Sequence, residues 1–144
     1  MCKKTEIEKT FRSTLIILFR VFTLEDCVEI SRLIGGLCRD NGLSKRVSLA
    51  AGLCTEEMCR NILEHGFEGQ DQNVISVRCL IDEEAKARIS IRDDCIPFSP
   101  VEWYELHHNT DDRTANIGIH MIAVMSEEFR YVNALNMNNL YITV

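Results

Sequence analysis

The sequence predicts an α/β fold, a two-layer sandwich in which a mixed, mainly antiparallel sheet is covered on one face by three helices. Helical stripes of apolar residues are separated by strand-like segments rich in β-branched residues, which is the pattern of a layered domain. Several strands have one polar and one apolar phase, so one sheet face is expected to meet water. The length of 144 residues and the 46% hydrophobic content fit one domain with its own core.

The first strand and the first helix have clear start and stop signals. The segment 15–22 is rich in β-branched and aromatic residues, as strands are. Thr23 and Asp26 predict a capping box at the start of the first helix, and Asn41 with Gly42 predicts its end. The remaining predicted elements are a second helix from Ser44 to His65, strands at 74–81 and 86–93, a polar connection at 95–115, a third helix at 116–125, and strands at 129–132 and 139–144.

The predicted domain spans residues 1–144, with 1–12 as a candidate disordered segment. The first strand is apolar, and it can pair either within the sheet or with a second copy of the chain. A homodimer is therefore a candidate state of the protein.

Composition excludes several classes of function. Seven cysteines form an odd set without a Cys-x-x-Cys pair, which argues against a disulfide framework or a zinc module and favours the reducing cytoplasm. No apolar run reaches the roughly 20 residues of a membrane span, and no signal peptide is visible. The net charge is −6 and no basic stripe with interleaved aromatic residues occurs, so we expect a protein partner rather than nucleic acid.

Two features predict polar groups beside the core. Glu57, Asn61 and His65 are spaced four residues apart, which places them on one side of the second helix, next to its apolar stripe. An acid and an amide there suit a hard cation or a polarised water, although a solvated boundary row has the same spacing. Asp93 is in phase with the core residues of its strand, so protein groups or a ligand must donate hydrogen bonds to it.

A third feature is the entry to the last predicted helix. Asn116 and Gly118 both tolerate positive φ, so backbone N–H groups at this helix start can turn toward an anion, although an ordinary helix entry contains the same residue types. In the polar connection, the imidazole side chains of His107 and His108 and the carboxylates of Asp111 and Asp112 leave a transition-metal site as a further alternative.

The order of these features resembles the histidine-kinase-like ATPases, and most closely the small anti-sigma-factor serine kinases of bacteria. The first motif is Glu-x-x-x-Asn-x-x-x-His-Gly, here Glu57 to Gly66. A strand-end Asp followed by a turn with Pro and Phe comes second, and a helix start containing glycine comes third. The resemblance covers the chain from about residue 15 to its C-terminus.

The resemblance implies roles for particular residues. Glu57 matches the general base toward water or a serine hydroxyl, Asn61 matches the magnesium-linked Asn, and Asp93 matches the Asp that accepts from the adenine amino group. Cys95 stands where the family has the glycine of Asp-x-Gly, and Asn116 with Gly118 stands where it has Gly-x-Gly.

These matches imply a regulator that binds ATP or ADP with magnesium and binds a protein partner, which it phosphorylates on serine if it is a kinase. The partner class is a sigma factor, an anti-sigma antagonist or another signalling protein. The alternative is a non-catalytic interaction module in which Cys95 fills part of the adenine space.

Overall fold

The computed structural model describes residues 6–9, 15–66, 74–109 and 116–144. Within these residues the chain forms six strands and four helices. In chain order they are β1 (Glu6–Lys9), β2 (Leu15–Val21), α1 (Leu24–Asp40), α2 (Lys45–His65), β3 (Ile75–Ile81), β4 (Ala87–Asp93), α3 (Pro100–His107), α4 (Ile117–Met125), β5 (Glu128–Ala134) and β6 (Met137–Thr143).

The strands form one sheet in the order β1-β2-β3-β4-β6-β5. Every pairing between the described strands is antiparallel, so the expectation of a mixed sheet is wrong for this part of the chain, while the mainly antiparallel two-layer sandwich is confirmed. β5 and β6 form the last hairpin, and β6 also pairs with β4, so β6 lies between β4 and β5. Asp93 at the end of β4 is thereby paired in register with Asn138 of β6.

The N-terminal strand changes one expectation about the sheet edge. β1 pairs with β2, with Ile7 opposite Ile17, so the apolar strand β2 is not an edge strand. Within the segment 1–12 the structure describes only residues 6–9, which form β1, so the expectation of disorder over 1–12 stays a prediction. Because β1 covers the edge of β2, the apolar character of β2 no longer supports a homodimer.

The first two helices begin as their local sequences predict. Thr23 accepts a hydrogen bond from the Asp26 N–H, and the Asp26 carboxylate accepts from the Thr23 N–H, so both halves of the capping box are present. Ser44 accepts from the Val47 N–H at the start of α2. The bonds at both helix starts satisfy N–H groups that have no partner within the helix.

The core lies between the helices and one face of the sheet. Alternate residues of β3 and β4 are buried, and α1 and α2 pack against each other and on the sheet. The fully buried side chains include Ile30 and Ile34 of α1 and Ile89 and Ile91 of β4. Asp93 continues the buried phase of β4, as its position in the sequence predicts.

A helix occupies part of the segment predicted to be a polar connection. α3 begins at Ser99, whose hydroxyl accepts from the Glu102 N–H, and Pro100 occupies the first turn. Proline is favoured there because its missing N–H has no helical partner anyway. The expectation of three helices is therefore wrong, since the described residues contain four. No helix among the described ranges is long and apolar enough to cross a membrane.

Candidate functional site

A pocket of about 290 Å³ opens between the C-terminal half of α2, the turn after β4 and the start of β6. This volume is at the low end of the roughly 300–1,000 Å³ that is typical of small-molecule sites. Its walls are largely apolar, with a few polar groups among them. The lining residues are Met58, Asn61, Ile62, His65, Gly66, Asp93, Cys95, Ile96, Pro97, Phe98, Pro100, Tyr131, Asn138 and Leu140.

Asp93 supplies the carboxylate of this pocket and is only 5% exposed. Its Oδ1 accepts two hydrogen bonds, from the Cys95 N–H at 3.0 Å and from Asn138 Nδ2 at 2.8 Å. Within the described part of the chain, no donor forms a hydrogen bond with Oδ2. Oδ2 is not among the fully buried side-chain atoms that lack a partner, so it is accessible from the pocket, where a carboxylate oxygen can accept from a ligand N–H.

Asn138 is a site residue that the sequence analysis missed. Its Oδ1 accepts from the Tyr131 hydroxyl at 2.6 Å and from Asn133 Nδ2 at 2.9 Å, which leaves its Nδ2 to donate to Asp93. The network fixes the orientation of the Asp93 carboxylate. A signal for it was present, because Asn138 is in phase with the buried Leu140 in the last strand, just as Asp93 is in phase with the core.

Cys95 replaces glycine in the family's second motif, and its side chain packs against Gly66. A Cβ atom added to Gly66 would lie 2.9 Å from Cys95 Cβ and 3.1 Å from its Sγ. The glycine after His65 therefore provides the space that the Cys95 side chain occupies. Burial, and then the neighbouring Asp93 and Asp94 carboxylates, raise the pKa of the Cys95 thiol, so it remains a neutral wall of the pocket at physiological pH.

The second helix connects this pocket to a second polar group. Asn61 and His65 line the pocket, while Glu57 lies one turn earlier, about 6 Å along the axis from Asn61. Glu57 reaches the N-terminal end of α4, where a Cβ added to Gly118 would lie 2.5 Å from Glu57 Oε2. Gly118 is required by this close approach, and its own φ is not positive.

Asn116 has the backbone conformation that the sequence analysis expected. It is the N-cap of α4 and has φ 51° and ψ 49°, in the left-handed region, without a side-chain cap bond. The N–H groups of Ile119 and His120 bond back to the Asn116 carbonyl oxygen. The N–H groups of the first two residues of α4 have no such helical partner, so this end is suited to negative charge.

The predicted site residues thus fall into two neighbouring groups. Asn61, Asp93 and Cys95 surround the pocket, whereas Glu57 and Gly118 meet at the start of α4, one helical turn away. The Asn61 amide oxygen and the Glu57 carboxylate are hard oxygen ligands of the kind that magnesium prefers. The residues present therefore have the chemistry to hold a magnesium-bound nucleotide.

The histidines of the α3 segment form no metal site with other residues that the structure describes. Among the residues that the structure describes, no group of three His, Cys, Asp or Glu side chains is arranged to hold a metal ion. His107 stacks on Trp103 with ring centroids 4.5 Å apart, and His108 stacks on Tyr104 at 5.2 Å. The expected carboxylate partners, residues 111–112, lie outside the described residues.

Comparisons with solved structures agree with this fold. The RsbU and RsbW domains of Rv1364c from Mycobacterium tuberculosis match with a TM-score of 0.60 and 13% identity, over 88% of this chain and 31% of that chain. The histidine kinase domain of the Erythrobacter litoralis EL346 blue-light activated histidine kinase matches with a TM-score of 0.53 and 14% identity, over 84% of this chain and 59% of that one. At such identities the likeness shows the fold alone.

The chain spans less than two thirds of the length of either of these two chains. No curated protein matches the sequence. The family described as "Histidine kinase-like ATPase domain" matches residues 21–143, which includes every residue of the two groups above. The chain therefore belongs to the histidine kinase-like ATPase domain family.

Proposed function

We propose that this protein binds ATP or ADP with magnesium and regulates a protein partner, in the manner of an anti-sigma-factor serine kinase. The observation that carries the proposal is the buried Asp93 carboxylate, whose Oδ1 is held by two protein donors while Oδ2 is left for a ligand in an apolar pocket. The cysteine content favours the reducing cytoplasm as the setting for this role.

The chemistry of Asp93 favours adenine over guanine. An ionised carboxylate accepts hydrogen bonds only, and the amino group of adenine is a donor. Guanine presents a carbonyl oxygen at the corresponding position, which would bring two acceptors together. The side chains of Ile62, Phe98 and Leu140 supply flat apolar walls for the base.

The second group of residues suits the phosphates. A bound magnesium ion would neutralise phosphate charge between Asn61 and the start of α4. The unpaired N–H groups of the first turn of α4, and the dipole of that helix, favour the same anionic groups. A nucleotide held in this way would have its reacting end beside Glu57.

Glu57 is the proposed general base for serine phosphorylation. Its carboxylate accepts the proton of a partner serine hydroxyl as that oxygen bonds to the γ-phosphorus of ATP, and the bond from the γ-phosphorus to the bridging oxygen breaks to release ADP. Glu57 is half-buried beside Gly118, so its orientation is restricted before a partner binds. Family membership and the likeness to an RsbW domain support this step.

Base-specific binding tests the first part of the proposal. Displacement of a fluorescent ADP derivative should be much more effective with ATP than with GTP. Asn61→Ala should weaken the magnesium-dependent part of the affinity, whereas Asn41→Ala, at the exposed end of α1, should have no effect. Equal displacement by ATP and GTP would contradict the role of Asp93.

Phosphoryl transfer tests the second part. The purified chain is incubated with radiolabelled ATP, magnesium and proteins recovered on the immobilised chain, and phosphoamino acids are then separated. We expect phosphoserine with the wild type and none with Glu57→Gln, which keeps the size of the side chain but cannot accept the proton. Glu56→Gln on the same helix is the control, because Glu56 pairs with Arg60 instead. Equal labelling by Glu57→Gln and the wild type would exclude Glu57 as the base.

One observation favours a second candidate function, a non-catalytic interaction module. Asp93 already has two protein donors, and the Cys95 side chain stands where the family motif has glycine. In that case Asp93 is a structural residue, and nucleotide at millimolar concentration produces no displacement and no change in stability.

A further inference from the structure

The open face of the sheet carries a cluster of positive charge that is not visible in the sequence. Outward-facing positions on β2, β3, β4 and β5 place five exposed arginines on this face, against one glutamate on the same strands, although the whole chain carries a net charge of −6. We call this surface the arginine face. Its arginines are Arg20 of β2, Arg78 of β3, Arg88 and Arg92 of β4, and Arg130 of β5, and the glutamate is Glu128 of β5.

The strand register brings these distant residues together. Arg20 lies opposite Ser76, which lies opposite Arg92, so these two arginines are two strand spacings apart. Arg78 is two residues from Ser76 on the strand between them. With strands about 4.8 Å apart, the cluster from β2 to β5 covers about 19 Å. The order and register of the strands thus create a basic surface that the linear sequence does not show, although it lacks the interleaved aromatic residues of a nucleic-acid stripe.

Three of the arginines are available to a partner. Arg88 pairs with Asp82 at 2.6 Å, and Arg130 pairs with Glu128 at 3.3 Å. Arg20, Arg78 and Arg92 form no ion pair with any residue that the structure describes. Each of the three is exposed, so their guanidinium groups have carboxylate-binding donors that remain in water.

The surroundings of the cluster are partly apolar and concave. A shallow depression on this face is lined by Arg78, Arg88 and Arg130 together with Leu80 and Tyr141. Leu18 and Val132, on the same face, are each 38% exposed. A surface that combines free guanidinium groups with exposed aliphatic side chains matches a protein segment that carries both acidic and apolar residues.

We propose that the arginine face is a docking surface for an acidic segment of a protein partner. Nucleic acid fits less well, because Tyr141 is the one aromatic side chain at the outward-facing positions of β2 to β6 and Arg130 already covers its ring at 4.2 Å, while the exposed Phe22 lies beyond the end of β2. Two copies of this chain meeting face to face would oppose one cluster of arginines with another, which is repulsive. The inference does not depend on nucleotide binding, because none of these arginines lines the nucleotide pocket.

Fluorescence anisotropy with a defined probe tests the proposal. The probe is a fluorescein-labelled peptide of about eight residues that alternates Glu with Leu and Ala, since an extended chain of that length spans about 26 Å, enough to cross the cluster. A peptide with Lys in place of each Glu is the charge control. A uridine oligonucleotide of similar length tests the nucleic-acid alternative, and sedimentation of the free protein tests self-association.

Two triple variants with the same change of charge distinguish binding at the arginine face from a general effect of the net charge of the protein. The test variant is Arg20→Gln with Arg78→Gln and Arg92→Gln. The control variant is Arg32→Gln with Arg39→Gln and Arg46→Gln, which removes three exposed arginines from α1 and α2. The single variant Arg78→Glu, compared with Arg32→Glu, repeats the comparison with minimal change to the fold.

We expect the wild type to bind the acidic peptide and not the lysine peptide. The test variant should weaken binding about tenfold or more, and the control variant by no more than about twofold. Nucleotide affinity should be equal in both variants. The proposal is overturned if the wild type does not bind the acidic peptide, or if both triple variants lose affinity equally. Tighter binding of the uridine oligonucleotide, or a dimer that only the test variant dissociates, would assign the face to nucleic acid or to a second copy instead.

Discussion

Replacing Asp93 with Asn changes one atom at the base of the pocket, and it separates a ligand-binding carboxylate from a structural one. In the wild type, both internal donors, the Cys95 N–H and Asn138 Nδ2, reach the same oxygen, Oδ1. The amide oxygen of Asn can occupy that position and accept both bonds. Its NH₂ group then takes the place of Oδ2 and presents a donor where the adenine amino group also presents one.

The structure sets the expected magnitudes. A hydrogen bond to a charged group contributes about 1.5–3 kcal/mol, so its loss should weaken ADP binding about 10- to 150-fold. Stability should change little, because the two internal bonds persist and only their charge assistance is lost. We expect a change in unfolding free energy of at most about 1 kcal/mol, which corresponds to a melting shift of about 4 °C or less.

Calorimetric titration with ADP and magnesium, together with thermal unfolding, measures both quantities. Asp94→Asn is the matched control, since Asp94 accepts from the Val74 N–H at 3.1 Å and does not line the pocket. It should leave ADP affinity within about twofold of the wild type. If Asp93→Asn and Asp94→Asn bind ADP equally well, or if Asp93→Asn loses several kcal/mol of stability at unchanged affinity, the assignment of Oδ2 to a ligand is wrong.

Three further predictions follow from other contacts of the site and the core. Gly118→Ala should push the Glu57 carboxylate aside, because the new Cβ would lie 2.5 Å from Oε2, and phosphotransfer assays should show a larger loss of transfer rate than of ADP affinity. Cys95→Gly should cost about 1–2 kcal/mol in urea unfolding, through lost burial and added backbone entropy, and should tighten ADP binding severalfold by widening the pocket. Burial raises the pKa of the Cys54 thiol to about 12, so as pH rises the thiol is deprotonated in the unfolded state before it is in the folded state. The unfolding free energy of the wild type should therefore fall above pH 9, and it should fall more steeply than that of Cys54→Ala.

Each of these predictions has an outcome that contradicts it. Unchanged transfer by Gly118→Ala would show that Glu57 does not depend on this approach. The control is Gly36→Ala of α1, a helical glycine at which an added Cβ would lie at an ordinary contact distance of 3.8 Å from Arg39 Nη2. Unchanged or weaker ADP binding by Cys95→Gly would mean that the side chain does not narrow the base pocket. Parallel pH curves for the wild type and Cys54→Ala would show that this thiol makes no contribution to alkaline unfolding.

Local signals predicted most of the fold. The helix caps at Thr23 and Ser44 involve only residues three positions away in the chain, so the local sequence is enough to predict them. The left-handed residues Gly42 and Asn116 were also correctly placed, because few residue types adopt positive φ. The helix α3 was missed although Ser99 and Pro100 form a typical start, since its eight residues have little amphipathic character.

The site could be predicted only in part for a different reason. Asp93 was recognised because its own strand shows that it is in phase with the core. Its partner Asn138 lies 45 residues away and becomes its neighbour only because β6 inserts between β4 and β5. The arginine face depends in the same way on the order and register of β2, β3, β4 and β5, which a single sequence does not specify.

The measurement that tests the central claim most directly is calorimetric titration of the wild-type protein with ADP, with and without magnesium. The arrangement of Asp93 and Asn61 around one pocket predicts saturable binding at one site, with an affinity that falls when magnesium is removed. Absence of any heat of binding at millimolar ADP, in a sample shown to be folded, would contradict the claim. It would assign the Asp93 network to stability and the protein to partner binding alone.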